Sequence, residues 1–271
     1  MSAIPKVTEN RIKEGLKKYK NIIKRAKDRD VNESDTVTII TDVLSDICGY
    51  EKYTEITREY AIRGVYCDLA VKIDEKTIFL IEVKAIGIDL NSSHVRQAVQ
   101  YASTEGIEWV ILTNGDQWQA HRVVFEKPVT TELALNYSIL ESKNIKELSE
   151  AFFLLSKEGV KKSAIDIFHE EIQLTNRYMI AATILSDQVL NVVRRQLKTL
   201  SSKVKITSED IRLTIESQVL KREVTEGDDA EKARKRIASL SRAKKRAQAK
   251  KQKPEGKKEE GIFETEIGAT T

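Results

Sequence analysis

The stretch 65–84 constrains this chain more than any other. Its first arm is Val65-Tyr66-Cys67-Asp68-Leu69-Ala70-Val71-Lys72-Ile73, and its second is Thr77-Ile78-Phe79-Leu80-Ile81-Glu82-Val83-Lys84. Both are rich in β-branched and aromatic residues and free of Pro and Gly, with Asp74-Glu75-Lys76 between them, so they predict a β-hairpin. Counting outward from Ile73 facing Thr77 puts Asp68 opposite Glu82. Like charges directly across a ladder, with Cβ atoms about 4.5–5.5 Å apart, destabilise a sheet; such a pair calls for a cation. Side chains alternate faces, so Lys84 shares the face of Glu82 while Val83 points away. Two carboxylates, an ammonium and a backbone carbonyl on one patch form a donor set suited to Mg²⁺.

Around this hairpin the chain has 271 residues, 32% of them charged, enough for one substantial core and a smaller second unit. No apolar run approaches the roughly 18 residues of a membrane span, and the first 20 residues lack the apolar middle of a signal peptide. Cys48 and Cys67 belong to no C-x-x-C pair and are expected as reduced, buried thiols of a cytoplasmic protein. His94, His121 and His169 show no i,i+4 pairing that would indicate zinc.

The net charge of +4 conceals a segregation. Residues 1–30 carry ten basic and four acidic side chains, 232–253 carry eleven basic and none acidic, and the body 31–231 has a net charge of −10. Basic arms on an acidic body suit a polyanion-binding enzyme with a carboxylate site, or are solubilising tails.

Four segments are expected. A basic amphipathic helix occupies 1–30, with Ile12, Leu16, Tyr19, Ile22 and Ile23 near helical spacing. The segment 31–127 begins with capping residues Asn32-Glu33-Ser34-Asp35-Thr36 before a second helix stopped near Gly49. It continues with a strand over 54–62, a turn at Arg63-Gly64, the hairpin, and a helix over 94–104 capped by Asn91-Ser92-Ser93. Buried strands follow at 109–113 and 117–124, joined by Asn114-Gly115. Helices on the faces of a mixed sheet make this an α/β (α+β) fold. The segment 128–227 reads as a helical extension, opened by a capping pattern at Asn144 and Glu147, with a break near Ser186-Asp187 and a cap at Thr207. The basic tail 228–271 reads as an extended charged helix or as disorder, with disorder after Pro254.

Asp68, thirteen residues, then Glu82-Val83-Lys84 resembles the core signature of PD-(D/E)xK nucleases, with Cys67 where a Pro commonly stands. Gln97-Ala98-Val99-Gln100-Tyr101 resembles the Q-x-x-x-Y element that some branches carry on the following helix. Together with 82–90 and Ile111-Leu112-Thr113-Asn114-Gly115-Asp116-Gln117-Trp118, the pattern resembles the N-terminal nuclease domain of type I restriction enzyme R subunits. Asn32-Glu33-Ser34-Asp35-Thr36 resembles that family's helical Glu motif, and 176–224 more weakly resembles a helical extension of stand-alone relatives. The resemblance spans roughly 30–125. The chain holds no G-x-x-x-x-G-K-S/T phosphate loop, so no ATP site is expected.

The resemblance implies a metal-dependent DNA endonuclease. Asp68, Glu82 and the carbonyl of Val83 would hold Mg²⁺, with Mn²⁺ as a substitute, and Glu33 would complete the site. Lys84 would orient the attacking water and stabilise the phosphate, while Gln97 and Tyr101 would position water or the scissile phosphate. Lys232, Arg234, Lys235, Arg236, Arg242, Lys244, Lys245 and Arg246 are the candidate DNA-backbone contacts. Two other readings stay open. One is a catalytically silent module that binds nucleic acid or a partner protein, and the other a subunit active only with further subunits of a restriction or repair system.

Overall fold

A computed structural model describes residues 3–62, 65–201 and 203–251, without side-chain placement for 61, 62, 65, 66, 97 and 244–251. The chain divides into two compact units, Met1–Ile172 and Gln173–Thr271.

The first unit carries a six-stranded sheet in the order β1 (Ile56–Ile62), β2 (Val65–Ile73), β3 (Lys76–Val83), β4 (Trp109–Thr113), β5 (Gln117–Val124) and β6 (Thr130–Ser138). The pair β3–β4 is parallel and every other pair antiparallel. A parallel neighbour needs a crossover, and α3 (Ser92–Glu105) provides it. Phe79–Val83 and all of β4 are buried, as expected of central strands covered on both faces.

One face of β3 places Phe79, Ile81 and Val83 in a core with α1 (Lys6–Asp28), α2 (Glu33–Asp46) and α4 (Ile145–Leu155). On the other face, Leu80 packs with Ala70, Val110, Leu112 and the α3 residues Val95, Ala98, Tyr101 and Ala102. The mixed α/β architecture expected from sequence is the one observed. Expected caps are formed at Asn32, whose side chain accepts from the Asp35 N–H, and at Asn91, which makes a capping box with His94.

The hairpin differs from expectation at its tip. Asp74 and Glu75 both adopt positive φ, 50° and 63°, the signature of a tight two-residue turn. Ile73 therefore faces Lys76 rather than Thr77. A bulge past Val71 then restores the anticipated register, so Val71 faces Phe79 and Leu69 faces Ile81. The Arg63-Gly64 turn lies outside the described residues. The sheet also takes its sixth strand from the stretch read as helical: β6 pairs along its length with β5. After it come α4, α5 (Lys157–Lys161) and α6 (Ala164–Thr175).

The second unit is helical, with α7 (Arg177–Ile184), α8 (Asp187–Leu200), α9 (Ser208–Thr214), a π-helical turn at Ile215–Val219, α10 (Arg222–Thr225) and α11 (Asp228–Lys251). The expected break near Ser186 is present, and a second falls at Asn176, whose side chain caps α7. Thr207 and Asp210 form a capping box before α9. Of the two alternatives for the basic tail, the helix is observed through Lys251. Its start packs on α7, Ala233 and Ile237 meeting Met179 and Ala182. The expectation of disorder after Pro254 falls outside the described residues. Among the described residues no helix is long and apolar enough to cross a membrane.

Candidate active site

Asp68 is the only residue of β2 that pairs with neither neighbouring strand. The register carries it to the level of Glu82, as expected, but the ladder stops at Leu69–Ile81. Instead of joining it, the Asp68 side chain turns inward and its Oδ2 accepts the Val83 N–H at 2.7 Å. One carboxylate oxygen thus fixes the end of β3. On the outer strand, Glu59 next to this gap holds a positive φ of 48°, a conformation that costs a non-glycine residue energy.

Glu82 sits at the end of a run of buried apolar residues and is itself only 6% exposed. Its Oε1 accepts from the Lys84 ammonium at 2.7 Å. Lys84, two residues on, projects from the same face, and its Nζ also lies 3.5 Å from Glu33 Oε2. Glu33 is the first residue of α2, where the helix dipole favours an acid, and its side chain is half-exposed. Asp68, Glu82, Lys84 and Glu33 are therefore brought together by the end of β3 and the start of α2.

The electrostatics are under-compensated. Burial pushes the Asp68 carboxyl above its ordinary value, against the Val83 N–H and Lys84, with Glu33 adding repulsion. Burial also raises Glu82; the hydrogen bond from Lys84 opposes this, and the Asp68 charge reinforces it. Lys84 loses solvation, yet the bond to Glu82 and the nearby charges of Glu82, Glu33 and Asp68 outweigh that loss and raise it. A patch with two reluctantly ionised carboxylates and one cation has room for more positive charge.

Among the described residues no three His, Cys, Asp or Glu side chains form a ready metal cluster. Mg²⁺ does not require one, since it binds through one or two carboxylates and retains several waters. Asp68 and Glu82, with a backbone carbonyl beside them, fit that donor set.

Tyr101 lies on α3 in the apolar layer with Cys67 and Leu80, 5% exposed. Its hydroxyl is buried and has no hydrogen-bond partner. Gln97 is one turn earlier on the same helix, and its side chain lies outside the described positions. Of the basic candidates, Lys232, Arg234, Lys235, Arg236 and Arg242 are exposed on α11. Lys235 pairs with Glu231 at 2.6 Å, and Lys232 lies 4.0 Å from Asp229. Lys244, Lys245 and Arg246 continue the same helix, with side chains outside the described positions.

A second polar centre was not anticipated from sequence. Asp116, 2% exposed, accepts from Ser138 Oγ at 2.7 Å and Leu140 N at 3.0 Å through Oδ1, and from Lys27 Nζ at 3.0 Å through Oδ2. Burial works to raise its pKa, but these three donors outweigh it and hold the carboxyl below its usual range. Asn114 accepts from the N–H groups of Asp116 and Gln117 and donates to the Ile88 carbonyl. The Asn114-Gly115-Asp116 motif therefore locks the β4–β5 turn to β6 and α1, and ties down the loop that follows Lys84. Its signal was an acid inside an otherwise buried turn, with a lysine surplus on α1 to meet it.

Residues 39–134 match the family model of the type I restriction enzyme R protein N terminus. That span runs from within α2 into β6 and includes Asp68, Glu82, Lys84, Gln97 and Tyr101. Neither a curated protein nor a solved structure matches the chain.

Proposed function

From the family match over 39–134 and the carboxylate–lysine cluster at the end of β3, we propose that this chain is a metal-dependent, restriction-type deoxyribonuclease. The observation that carries the reading is Glu82, a carboxylate kept at the end of a buried central strand and bonded, among the described residues, to Lys84 alone. Asp68, Glu82 and the Val83 carbonyl would hold Mg²⁺ or Mn²⁺. When bound, the metal supplies an activated water and relieves charge on the phosphodiester. Asp68 fixes the end of β3 through the Val83 N–H, which keeps its second oxygen directed by the strand rather than free to rotate. Lys84 would hold the attacking water and stabilise negative charge developing on the phosphate. Glu33 steadies Lys84 from α2 and would complete the site. Gln97 and Tyr101, one turn apart on α3, would position water or the scissile phosphate, with the unsatisfied Tyr101 hydroxyl as the group that would bond to it. The basic face of α11 would contact the DNA backbone, and other subunits of a restriction or repair system are the candidate protein partners.

A second reading rests on the 2.7 Å Lys84–Glu82 bond: a pair already neutralised could be a remnant in a module that only binds DNA. Cleavage of supercoiled and linear DNA by purified protein in Mg²⁺, Mn²⁺ or chelator separates the two. Glu82→Gln and Lys84→Ala should retain the far-ultraviolet circular dichroism of wild type and lose cleavage by at least about a hundredfold. Binding without cleavage by wild type in either metal, or undiminished cleavage by Glu82→Gln, would reject the nuclease reading.

A further inference from the structure

Within the second unit, α7, α8, α9, the π-helical turn and α11 line an open cavity of about 490 Å³. That is the size of an ordinary small-ligand site. Three arginines line it, Arg212, Arg234 and Arg242, with the carboxylates Asp187 and Glu216 and the polar side chains of Gln188, Asn191 and Ser241. Leu185 and Ile237 form an apolar wall.

The three arginines are held differently. Arg212 is fixed by the Leu185 carbonyl at 2.7 Å and by Asp187 at 2.9 Å. Arg234 donates one terminal nitrogen to the Thr225 carbonyl at 2.6 Å, and Arg242 donates only its Nε, to Ala238. Among the described residues neither Arg234 nor Arg242 forms an ion pair, whereas Lys232 and Lys235 on the same helix find acids. Two arginines on the wall of the cavity therefore keep guanidinium donors to spare, each anchored through one nitrogen, while Arg212 is matched by Asp187. Planar, bidentate donors of this kind suit phosphate oxygens.

The backbone adds an independent sign. Glu216, on the wall of the cavity, lies in the π-helical turn, where the Leu220 N–H reaches back to the Ile215 carbonyl at 2.9 Å. Such turns are rare, cost regularity and concentrate at ligand sites.

We propose that this cavity binds a phosphate group carried by a nucleoside, either a free nucleotide or the backbone of a nucleic-acid strand. The arginines take the phosphate oxygens, Gln188, Asn191 and Ser241 meet sugar or base polar groups, and the Leu185–Ile237 wall lies against a sugar or base. The choice of a nucleic-acid strand as one source rests on the DNA-directed reading above; the phosphate chemistry does not.

The test is calorimetric titration of the full chain in chelator, on a Glu82→Gln background, so that its outcome is separate from cleavage. The probes are ADP, the 5′-phosphorylated dinucleotide pdTdT and inorganic phosphate. All are too short to span α11. Wild-type cavity residues should bind ADP or pdTdT, and the preferred probe identifies the source. Arg234→Gln/Arg242→Gln should weaken that binding at least about tenfold. Lys198→Gln/Lys205→Gln, with the same charge change at exposed positions of the second unit outside the cavity, should change it less than about twofold. Gln188→Glu guards against misfolding: it places an acid in the first turn of α8, where the dipole favours one, and should also weaken binding. Absence of binding by all three probes, or equal loss in the two double variants, overturns the proposal.

Discussion

Replacing Asp116 with alanine tests whether the β4–β5 turn is held as described. The substitution leaves the Leu140 N–H and the Ser138 hydroxyl, bonded at 3.0 and 2.7 Å, without their acceptor. A buried donor stripped of its partner costs about 1–3 kcal/mol. Lys27 is half-exposed and can return to water, so its 3.0 Å ion pair contributes little more. We expect a loss of about 3 kcal/mol. The two tryptophans, Trp109 and Trp118, both lie in the sheet, and the Trp118 indole donates to the Gly115 carbonyl beside Asp116. Their fluorescence therefore follows the first unit alone. For a urea m-value of about 2 kcal/mol/M the midpoint should fall by about 1.5 M. The sign with pH follows from the lowered carboxyl. A depressed folded pKa stabilises above the unfolded value, about 3.9, and that stabilisation is lost as pH falls through the folded one. The wild-type advantage should hold from pH 5 to 8 and shrink below pH 4. A fall under about 0.5 M at unchanged m would show that the turn does not depend on this carboxylate.

The site carboxylates should behave oppositely. Asp68→Asn keeps an oxygen for the Val83 N–H and removes a charge whose folded pKa is raised. In chelator at pH 7 it should melt about 2–4 °C higher, corresponding to about 1 kcal/mol. That gain should vanish as pH falls below the unfolded aspartate value, where a raised group is no longer penalised. In excess Mg²⁺ wild type should recover about 2.7 kcal/mol at a hundredfold excess over Kd, and the variant should not; equal metal stabilisation of both would refute the assignment. Tyr101→Phe removes a hydroxyl that has no partner, so thermal melts should show equal or slightly higher stability while cleavage falls; unchanged cleavage would leave Tyr101 a packing residue. Removal of 244–271 spares the α7–α11 packing, unlike truncation before Lys232, which would strip the buried Ala233. It should flatten the salt dependence of DNA binding by about 0.9 per lost phosphate contact, and an unchanged slope would mean that the end of α11 does not touch DNA.

What could be read in advance was whatever local chemistry decides. The apolar run Trp109–Thr113 can only be a central strand, and Asn32, Asn91 and Thr207 supply oxygens where helices must start. The hairpin register at Asp68 and Glu82 was anticipated through an incorrect tip. The Asp74-Glu75 turn is one residue tighter than read, and the bulge past Val71 cancels the difference. Neither feature has a sequence signature, because neither turn residue is Gly or Asn. The strand β6 was missed because Leu135 is its one buried residue and its apolar content is low, so its stability comes from pairing with β5. The packing of α11 was hidden for a related reason: its buried stripe begins with alanines, which scarcely register among so many cations. The spacing of Asp68, Glu82 and Lys84 survives in sequence because three positions on two neighbouring strands suffice to define it. The withdrawal of Asp68 from both ladders does not, since it depends on how three strands diverge.

The first unit thus holds buried or partly buried carboxylates in two conditions on one sheet. Asp116 is surrounded by three donors, and burial fails to raise it. Among the described residues the partly buried Asp68 and the buried Glu82 are given one donor each, the Val83 N–H and the Lys84 ammonium, and desolvation wins. A carboxylate kept only for stability gains from full satisfaction, and the first unit demonstrably can provide it. A Glu82–Lys84 pair kept only for packing would be no worse, and commonly better, as two apolar residues. The contrast therefore separates a structural acid from two acids held short of donors at the mouth of β3. Groups poised in that way are where a protein leaves room for a charge it does not itself supply.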